Sequence, residues 1–217
     1  MKLKTSLLIQ FGFFAVILAI SGYYATILPD TVPTHWNIHN QVDGYGSKWV
    51  TLLMLPAMMP FSILLTIVLP KISPKNFEIE KFENTFSYAM VLVSALFLFL
   101  SIIILKATLS PHIDLGRMIM AGMFVFFAIF GNILGKVRRN FFMGIRTPWT
   151  LASERVWDAT HRSAGYLWFV GGIVGAALVL AGMPVVGSTS MLIVLALLPV
   201  VNSYILYVKI EQAPNKN

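Results

Sequence analysis

Two histidines and an aspartate near the amino terminus have a spacing that could hold a metal ion. His35, His39 and Asp43 follow one another at intervals of four residues, which on an α-helix would place all three side chains on one face. Zinc takes imidazole nitrogens and carboxylate oxygens, and a catalytic zinc site needs three protein ligands in a defined geometry. His112 and Asp114, from a separate segment, could complete such a site. A metal-dependent protein that uses these residues is therefore one alternative.

The residues around the histidines favour a turn-rich loop over a helix. Pro33 precedes the first histidine, and Asp43 with Gly44 is a pair that commonly forms a turn. We therefore expect a loop with a turn at Asp43 and Gly44, and we predict that no metal or other cofactor is bound. Three aromatic side chains of the loop, suited to the edge of a membrane, are Trp36, Tyr45 and Trp49.

The motifs of several large enzyme classes are missing from the sequence. It contains no Ser-x-x-Lys, Gly-x-Ser-x-Gly or His-Glu-x-x-His pattern and no phosphate-binding loop. Six long apolar runs also lack any Asp, Glu, Lys, Arg or His, whereas ion-coupled transporters usually carry such a group inside a span. The sequence predicts that the protein is not an enzyme, and a small-molecule or ion transporter or channel is kept as a further alternative.

The same apolar runs are the elements that must position the polar loops. Hydrophobic residues make up 57% of the 217 residues and charged residues 12%, a composition beyond that of ordinary soluble domains. Each run has at least 18 residues, close to the roughly 20 that cross a hydrocarbon core. We predict an all-α integral membrane protein, a single polytopic domain over residues 1–217, with a bundle of six transmembrane helices. The runs are Thr5–Leu28, Val50–Pro70, Asn84–Leu105, Met118–Gly135, Tyr166–Met183 and Ser188–Val208.

Positive charge is concentrated on one side of the predicted bundle. Of the 16 Lys and Arg residues, all but Lys48, Lys106 and Arg117 fall on the side of the amino terminus. Loops rich in these residues face the cytoplasm, so we predict a multi-pass protein of the plasma membrane with both termini in the cytoplasm. Orientation and attraction to anionic lipids explain the net charge of +7 without direct binding of nucleic acid.

The longest predicted cytoplasmic loop has the features of an interfacial helical segment. Thr147 followed by Pro148 is typical of a helix N-cap and first turn, and Ser153 offers a second helix start. Trp149 and Trp157 are expected at the depth of the lipid headgroups.

Two stretches of the sequence resemble a known family. Residues 139–162, "RNFFMGIRTPWTLASERVWDATHR", closely resemble the signature of the SdpI family of bacterial membrane immunity proteins. Residues 28–49, "LPDTVPTHWNIHNQVDGYGSKW", look like a module of unassigned chemistry that precedes the signature in members of that family. The resemblance implies six helices, with an amino-terminal module at residues 1–70 and a signature region at residues 118–208.

The resemblance also implies a role without catalysis. Family members protect the cell against a secreted peptide toxin of the sporulation-delay, or cannibalism, system, and some act as receptors whose toxin-bound state captures a cytoplasmic repressor. Matching positions in the external loop, where toxin or partner would bind, are Pro33, His35, Trp36, Asn37, Asp43 and Gly44. Matching positions in the cytoplasmic signature are Arg139, Asn140, Gly144, Arg146, Thr147, Pro148, Trp149, Trp157 and His161. None of them is assigned a chemical step.

Overall fold

The computed structural model describes residues 1–110 and 112–212, so Lys216, one of the predicted cytoplasmic charges, lies outside the described residues. The helices are α1 (Leu3–Ile27), α2 (Lys48–Lys71), α3 (Glu83–Leu109), α4 (Leu115–Leu134), α5 (Pro148–Ala152), α6 (Glu154–Leu180) and α7 (Val185–Tyr207). Two strands, β1 (Thr31–Trp36) and β2 (Val42–Ser47), lie between α1 and α2. A 3₁₀ turn (Ile79–Phe82) precedes α3, and a π-helical turn (Val208–Gln212) follows α7.

Six of these helices are long and apolar enough to cross a membrane, which confirms the predicted helical membrane bundle. The fifth span differs from its predicted start at Tyr166, because α6 already begins at Glu154. Ser153 is its N-cap, and the Ser153 hydroxyl accepts a hydrogen bond from the Val156 amide. The interfacial helix is therefore the short α5. Trp157 lies on α6 and is fully buried, so its predicted place among the lipid headgroups is wrong.

Successive spans alternate in direction, so the loops divide between the two ends of the bundle. The first end, here called the signature face, holds the amino terminus, residues 72–82, residues 135–153 and the end of α7. The opposite end, the hairpin face, holds β1, β2 and the connections before α4 and α7. The Leu3 amide donates to Glu83 Oε1 at 2.9 Å, which joins the amino terminus to the start of α3. Cytoplasmic placement of the signature face stays a prediction from the distribution of charge.

A buried polar cluster connects the first three spans. Gln10 Oε1 accepts hydrogen bonds from the hydroxyls of Thr66 (3.2 Å) and Ser94 (3.1 Å), and Gln10 Nε2 donates to Ser6 (3.0 Å). All four side chains are fully buried. Inside a membrane these groups have no water to bond with, so mutual bonding stabilises the contact between α1, α2 and α3.

Glycines allow α4 and α6 to touch along their backbones. A Cβ atom on Gly131 would lie 2.6 Å from the Phe169 amide nitrogen, and one on Gly172 would lie 2.5 Å from that of Ala128. Both distances are shorter than any tolerable contact, so larger side chains would separate the helices. This close packing fixes the position of the signature face relative to the fourth span.

Candidate functional site

The external loop of the predicted topology is a β-hairpin, with its turn at residues 37–41. Asn37 Oδ1 accepts hydrogen bonds from the amides of His39 (2.9 Å) and Gln41 (3.0 Å). Asn40 adopts a left-handed conformation, with φ of 59°, which asparagine tolerates better than most residues. Asn37 therefore shapes the turn through its own side chain.

Asp43 and Gly44 belong to β2, so their predicted role as a turn is wrong. Gly44 pairs with His35 across the hairpin, where a Cβ atom on the glycine would lie 2.9 Å from the His35 Cβ atom. Asp43 Oδ1 lies 2.5 Å from His35 Nδ1 on the exposed surface of the strands. The structure thus brings His35, Asp43 and Gly44 together as one cross-strand contact.

The metal alternative required His35, His39 and Asp43 to share one face of a helix, and these residues lie in a β-hairpin instead. His39 lies in the exposed turn, where its amide bonds to Asn37. Asp114 caps α4 by accepting a hydrogen bond from the Arg117 amide at 3.0 Å. Within residues 1–110 and 112–212 no three His, Cys, Asp or Glu side chains are grouped closely enough to hold a metal ion.

Two side chains attach the hairpin to the bundle: Asn40 at its tip, and Lys48, the first residue of α2, directly after its second strand. Lys48 Nζ donates to two carbonyl oxygens at the carboxyl end of α1, at 3.2 and 3.4 Å. At the tip, Asn40 Nδ2 donates to the Ile113 carbonyl (3.0 Å), and Asn40 Oδ1 accepts from the Gly116 amide (3.3 Å). The hairpin is therefore connected to the end of α1 and to the first turn of α4.

A cavity of about 370 Å³ lies between the hairpin and the helices. Its lining includes Trp36 and Asn37 from the hairpin, Met54 from α2, and Leu115 and Ile119 from α4. The surface of the cavity is mostly apolar, with polar groups supplied by the hairpin and by Thr51 of α2. This size and this mixture of groups are typical of sites that bind an apolar group and orient it with a few hydrogen bonds.

On the signature face, Asn140 organises the start of the loop between α4 and α5. Its Oδ1 accepts hydrogen bonds from the amides of Phe142 and Met143, both at 2.7 Å. Its Nδ2 donates to the carbonyls of Arg138 (2.8 Å) and Met143 (3.0 Å). The side chain is fully buried, and all four bonds go to the backbone of one tight turn.

Gly144, Trp157 and His161 form the centre of the signature. His161 Nε2 accepts a hydrogen bond from the Ile145 amide (3.0 Å), and Nδ1 donates to the Trp157 carbonyl (2.8 Å). One ring nitrogen accepts and the other donates, so this bonding fits a neutral imidazole. Trp157 stacks on the His161 ring, with centroids 3.9 Å apart, and its Nε1 donates to the Val137 carbonyl at 2.8 Å.

The short helix α5 begins where the sequence predicts it. Thr147 is the N-cap and Pro148 the first helical residue, and a capping box joins Thr147 to Thr150. Trp149 Nε1 donates to the Ser203 hydroxyl of α7 at 2.7 Å. The Thr150 hydroxyl also donates to the Ile145 carbonyl at 2.8 Å, a second role for this residue that sequence reasoning missed.

Two arginines of the signature bond to backbone carbonyls. Arg139 Nη1 donates to the carbonyls of Leu151 (3.0 Å) and Ala152 (3.3 Å), and its guanidinium lies 5.0 Å from the centre of the Phe77 ring. Arg146 donates to the Phe141 carbonyl and is exposed. Arg139 therefore connects the α5 segment to the loop before α3, while Arg146 is open to the surface.

Burial differs among the signature residues, with Arg139, Gly144 and Trp149 partly buried. Four that shape the loop from inside are Asn140, Thr147, Trp157 and His161. Arg146 and Pro148 are exposed, and Arg146 bonds to the carbonyl of the exposed Phe141. The buried group builds the loop, and the exposed group is what a partner could contact.

Comparison with known proteins finds a separate match for the signature loop and for the hairpin. Residues 136–207, from the signature loop to the end of α7, match the model of the SdpI/YfhL protein family. Residues 12–59, which include the hairpin, match a domain of unknown function, DUF1648. The chain is 28% identical to Immunity protein SdpI of Bacillus subtilis (strain 168) over 151 residues, 70% of each protein. No solved structure matches the chain. With its signature loop and last two spans inside the family model, this multi-pass membrane protein is similar to the SdpI/YfhL protein family over that part of the chain.

Proposed function

We propose that the protein is a membrane immunity protein that binds a secreted peptide toxin on its hairpin face. Its resemblance to Immunity protein SdpI extends over 70% of the chain and supports an immunity role. The excess of positive charge at the signature face supports a hairpin face that is directed out of the cell. The proposed partner is a peptide that reaches the membrane from outside.

The cavity beneath the hairpin is the observation that carries this proposal. Its apolar lining suits a hydrophobic side chain of a membrane-active peptide, and Asn37 offers polar atoms at its edge. Tyr45 and Trp49 are also exposed at the hairpin face, with 67% and 54% of their surface accessible, and aromatic side chains of this kind dominate many binding interfaces. A peptide would thus bind through one buried apolar group surrounded by aromatic contacts.

The experiment fills the cavity and measures protection. We expect cells of a toxin-sensitive bacterium to survive a sporulation-delay-type peptide toxin when they express the wild-type chain. Ile119→Trp places a large ring in the cavity and should reduce survival at least tenfold. Val125→Trp is the matched control, because Val125 lies on the same helix, is exposed and does not line the cavity.

Membrane levels of both variants are compared by immunoblot, so that loss of protein is separated from loss of binding. Absence of protection by the wild-type chain against any toxin of this type would contradict the immunity role. Full protection by Ile119→Trp would contradict the cavity as the binding site. Saturable solute flux through proteoliposomes, without protection, would instead favour the transporter alternative.

A cytoplasmic repressor is the second partner that we propose, at the exposed part of the signature face. Arg146, Phe141 and Pro148 form an exposed surface on a loop held rigid by Asn140 and His161. A rigid loop that presents one cation and apolar groups suits a protein contact. We expect a repressor to copurify with the wild-type chain after toxin treatment and to be lost with Arg146→Glu, whereas Lys71→Glu should retain it.

A further inference from the structure

The side of the α4 and α6 contact that faces the bilayer contains a groove of about 290 Å³. Gly131 and Gly165 allow the two helices to touch at the floor of the groove. The larger side chains next to these glycines form its walls. The side chains that line it are Asn132 from α4, Lys136 just after the end of α4, and Arg162, Tyr166 and Phe169 from α6. All five are exposed on the isolated chain.

Polarity decreases along this groove from the signature face towards the middle of the bundle. Lys136 and Arg162 are nearest the signature face. Asn132 and Tyr166 are each four residues further in, about 6 Å deeper on a helix. Phe169 follows at the inner end. Charged groups, then polar groups, then an aromatic ring succeed one another, in the order of the headgroup, glycerol and acyl regions of a phospholipid.

The two basic side chains have no acidic partner within the described ranges, 1–110 and 112–212. Other basic residues of the same face do have one, since Arg138 lies 3.9 Å from Asp158 and Arg155 lies 3.3 Å from Glu211. Lys136 and Arg162 are not among the ion pairs of those ranges. The groove therefore presents two uncompensated positive charges at its outer end.

Asn132 supplies an independent reason to expect a ligand. It lies near the end of a membrane-spanning helix, is exposed on the isolated chain, and has no side-chain hydrogen bond among those found within residues 1–110 and 112–212. By contrast Asn202, on α7, donates to the Ser163 hydroxyl at 2.9 Å. An amide at the edge of the hydrocarbon without a partner is costly. A polar group of a bound molecule would supply the missing partner.

We propose that this groove binds one anionic phospholipid. Its phosphate lies between Lys136 and Arg162, its glycerol ester oxygens bond to Asn132 and Tyr166, and one acyl chain follows the groove past Phe169. Basic pockets between transmembrane helices are known to hold anionic headgroups. The proposed site is on a different part of the molecule from the toxin site and does not depend on the immunity role.

The test is native mass spectrometry of the full-length protein in detergent, titrated with phosphatidylglycerol or phosphatidylcholine. We expect the wild type to prefer phosphatidylglycerol. The double variant Lys136→Gln, Arg162→Gln should bind phosphatidylglycerol at least tenfold more weakly, because each basic residue contributes roughly a factor of five. The double variant Lys71→Gln, Arg138→Gln removes the same charge elsewhere and should bind it normally.

A second variant keeps the charge constant and changes only the amide. Asn132→Leu should weaken binding of phosphatidylglycerol severalfold while the protein stays monodisperse on gel filtration. Equal affinity of the wild type for both lipids would overturn the proposal. Equal losses from the two double variants would also overturn it, because diffuse charge would then explain binding. Full competition by inorganic phosphate at millimolar concentration would overturn it as well, because the ligand would then be a free anion.

Discussion

Gly144 and His161 occupy the same small space in the signature. A Cβ atom on Gly144 would lie 2.3 Å from His161 Nε2, and the glycine has a φ of +112°. The same nitrogen accepts the hydrogen bond from the Ile145 amide at 3.0 Å. The two residues therefore act as a pair. Because Gly144 has no side chain, the His161 ring can reach the Ile145 amide.

Gly144→Ala should destabilise the protein through both strain and collision. The left-handed backbone alone costs an alanine about 1 kcal/mol, and displacement of the buried His161 ring adds to this. Gly182→Ala is a matched control, because Gly182 has a φ of +102° and open space around it. Thermal unfolding in detergent should show a much larger loss for Gly144→Ala. Equal losses would mean that the backbone conformation alone accounts for the glycine.

Arg139→Lys should lower stability although charge is unchanged. The guanidinium bonds to two carbonyls and lies over the Phe77 ring, and lysine lacks the planar group that does both. We expect a loss of about 1–2 kcal/mol, since hydrogen bonds from charged groups contribute on this scale. Arg138→Lys, at an exposed residue 3.9 Å from Asp158, should change little. If the two variants unfold at the same temperature, the role given to Arg139 is wrong.

Tyr45 and Ala152 lie at opposite ends of the bundle and test its orientation. The chain has no cysteine, so a cysteine introduced at either exposed position is the sole target of a thiol reagent. In intact cells an impermeant reagent should label Tyr45→Cys and leave Ala152→Cys unlabelled until the cells are opened. The reverse pattern would show that the signature face is outside.

Acid should weaken a contact beside the start of α3. Hydrogen bonds from Lys81 and from the Asn76 amide lower the pKa of Glu78 from 4.5 to about 2. A lowered pKa means that the contribution of Glu78 to stability is complete above pH 4.5 and is lost as the pH falls towards 2. The difference in melting temperature between the wild type and Glu78→Gln should therefore shrink below pH 4.5. A difference that stays constant down to about pH 2.5 would contradict this.

Local patterns were sufficient to predict the spans and the helix starts. The apolar runs are within a few residues of α1, α2, α3, α4 and α7, and the caps at Thr147 and Ser153 are present. These features depend on composition and on neighbours within one helical turn. Residues that depend on distant partners were harder to predict. The polar cluster around Gln10 cannot be predicted from the apolar run that contains it, because its partners come from α2 and α3.

The hairpin shows the same limit. Its turn at Asn37 depends on asparagine side chains that bond to their own backbone and on Asn40 in a left-handed conformation. Asp43 and Gly44 are an equally good local turn pattern, and only the pairing of β1 with β2 excludes it. For Trp157, the sequence pattern favours a place near the lipid headgroups. The bond from its indole to the distant Val137 carbonyl, which buries the ring, cannot be predicted from that pattern.

The hairpin and the residue that follows it, Lys48 of α2, form a mechanical link between separate helices. Asn40 holds the first turn of α4, and Lys48 holds the end of α1. A molecule that enters the cavity and lifts the hairpin tip must either break the Asn40 bonds or move α4 with it. Because Gly131 of α4 packs directly on the backbone of α6, α4 cannot move without moving α6. Displacement at the tip would therefore transmit force to α6, where His161 lies about five helical turns from the hairpin face.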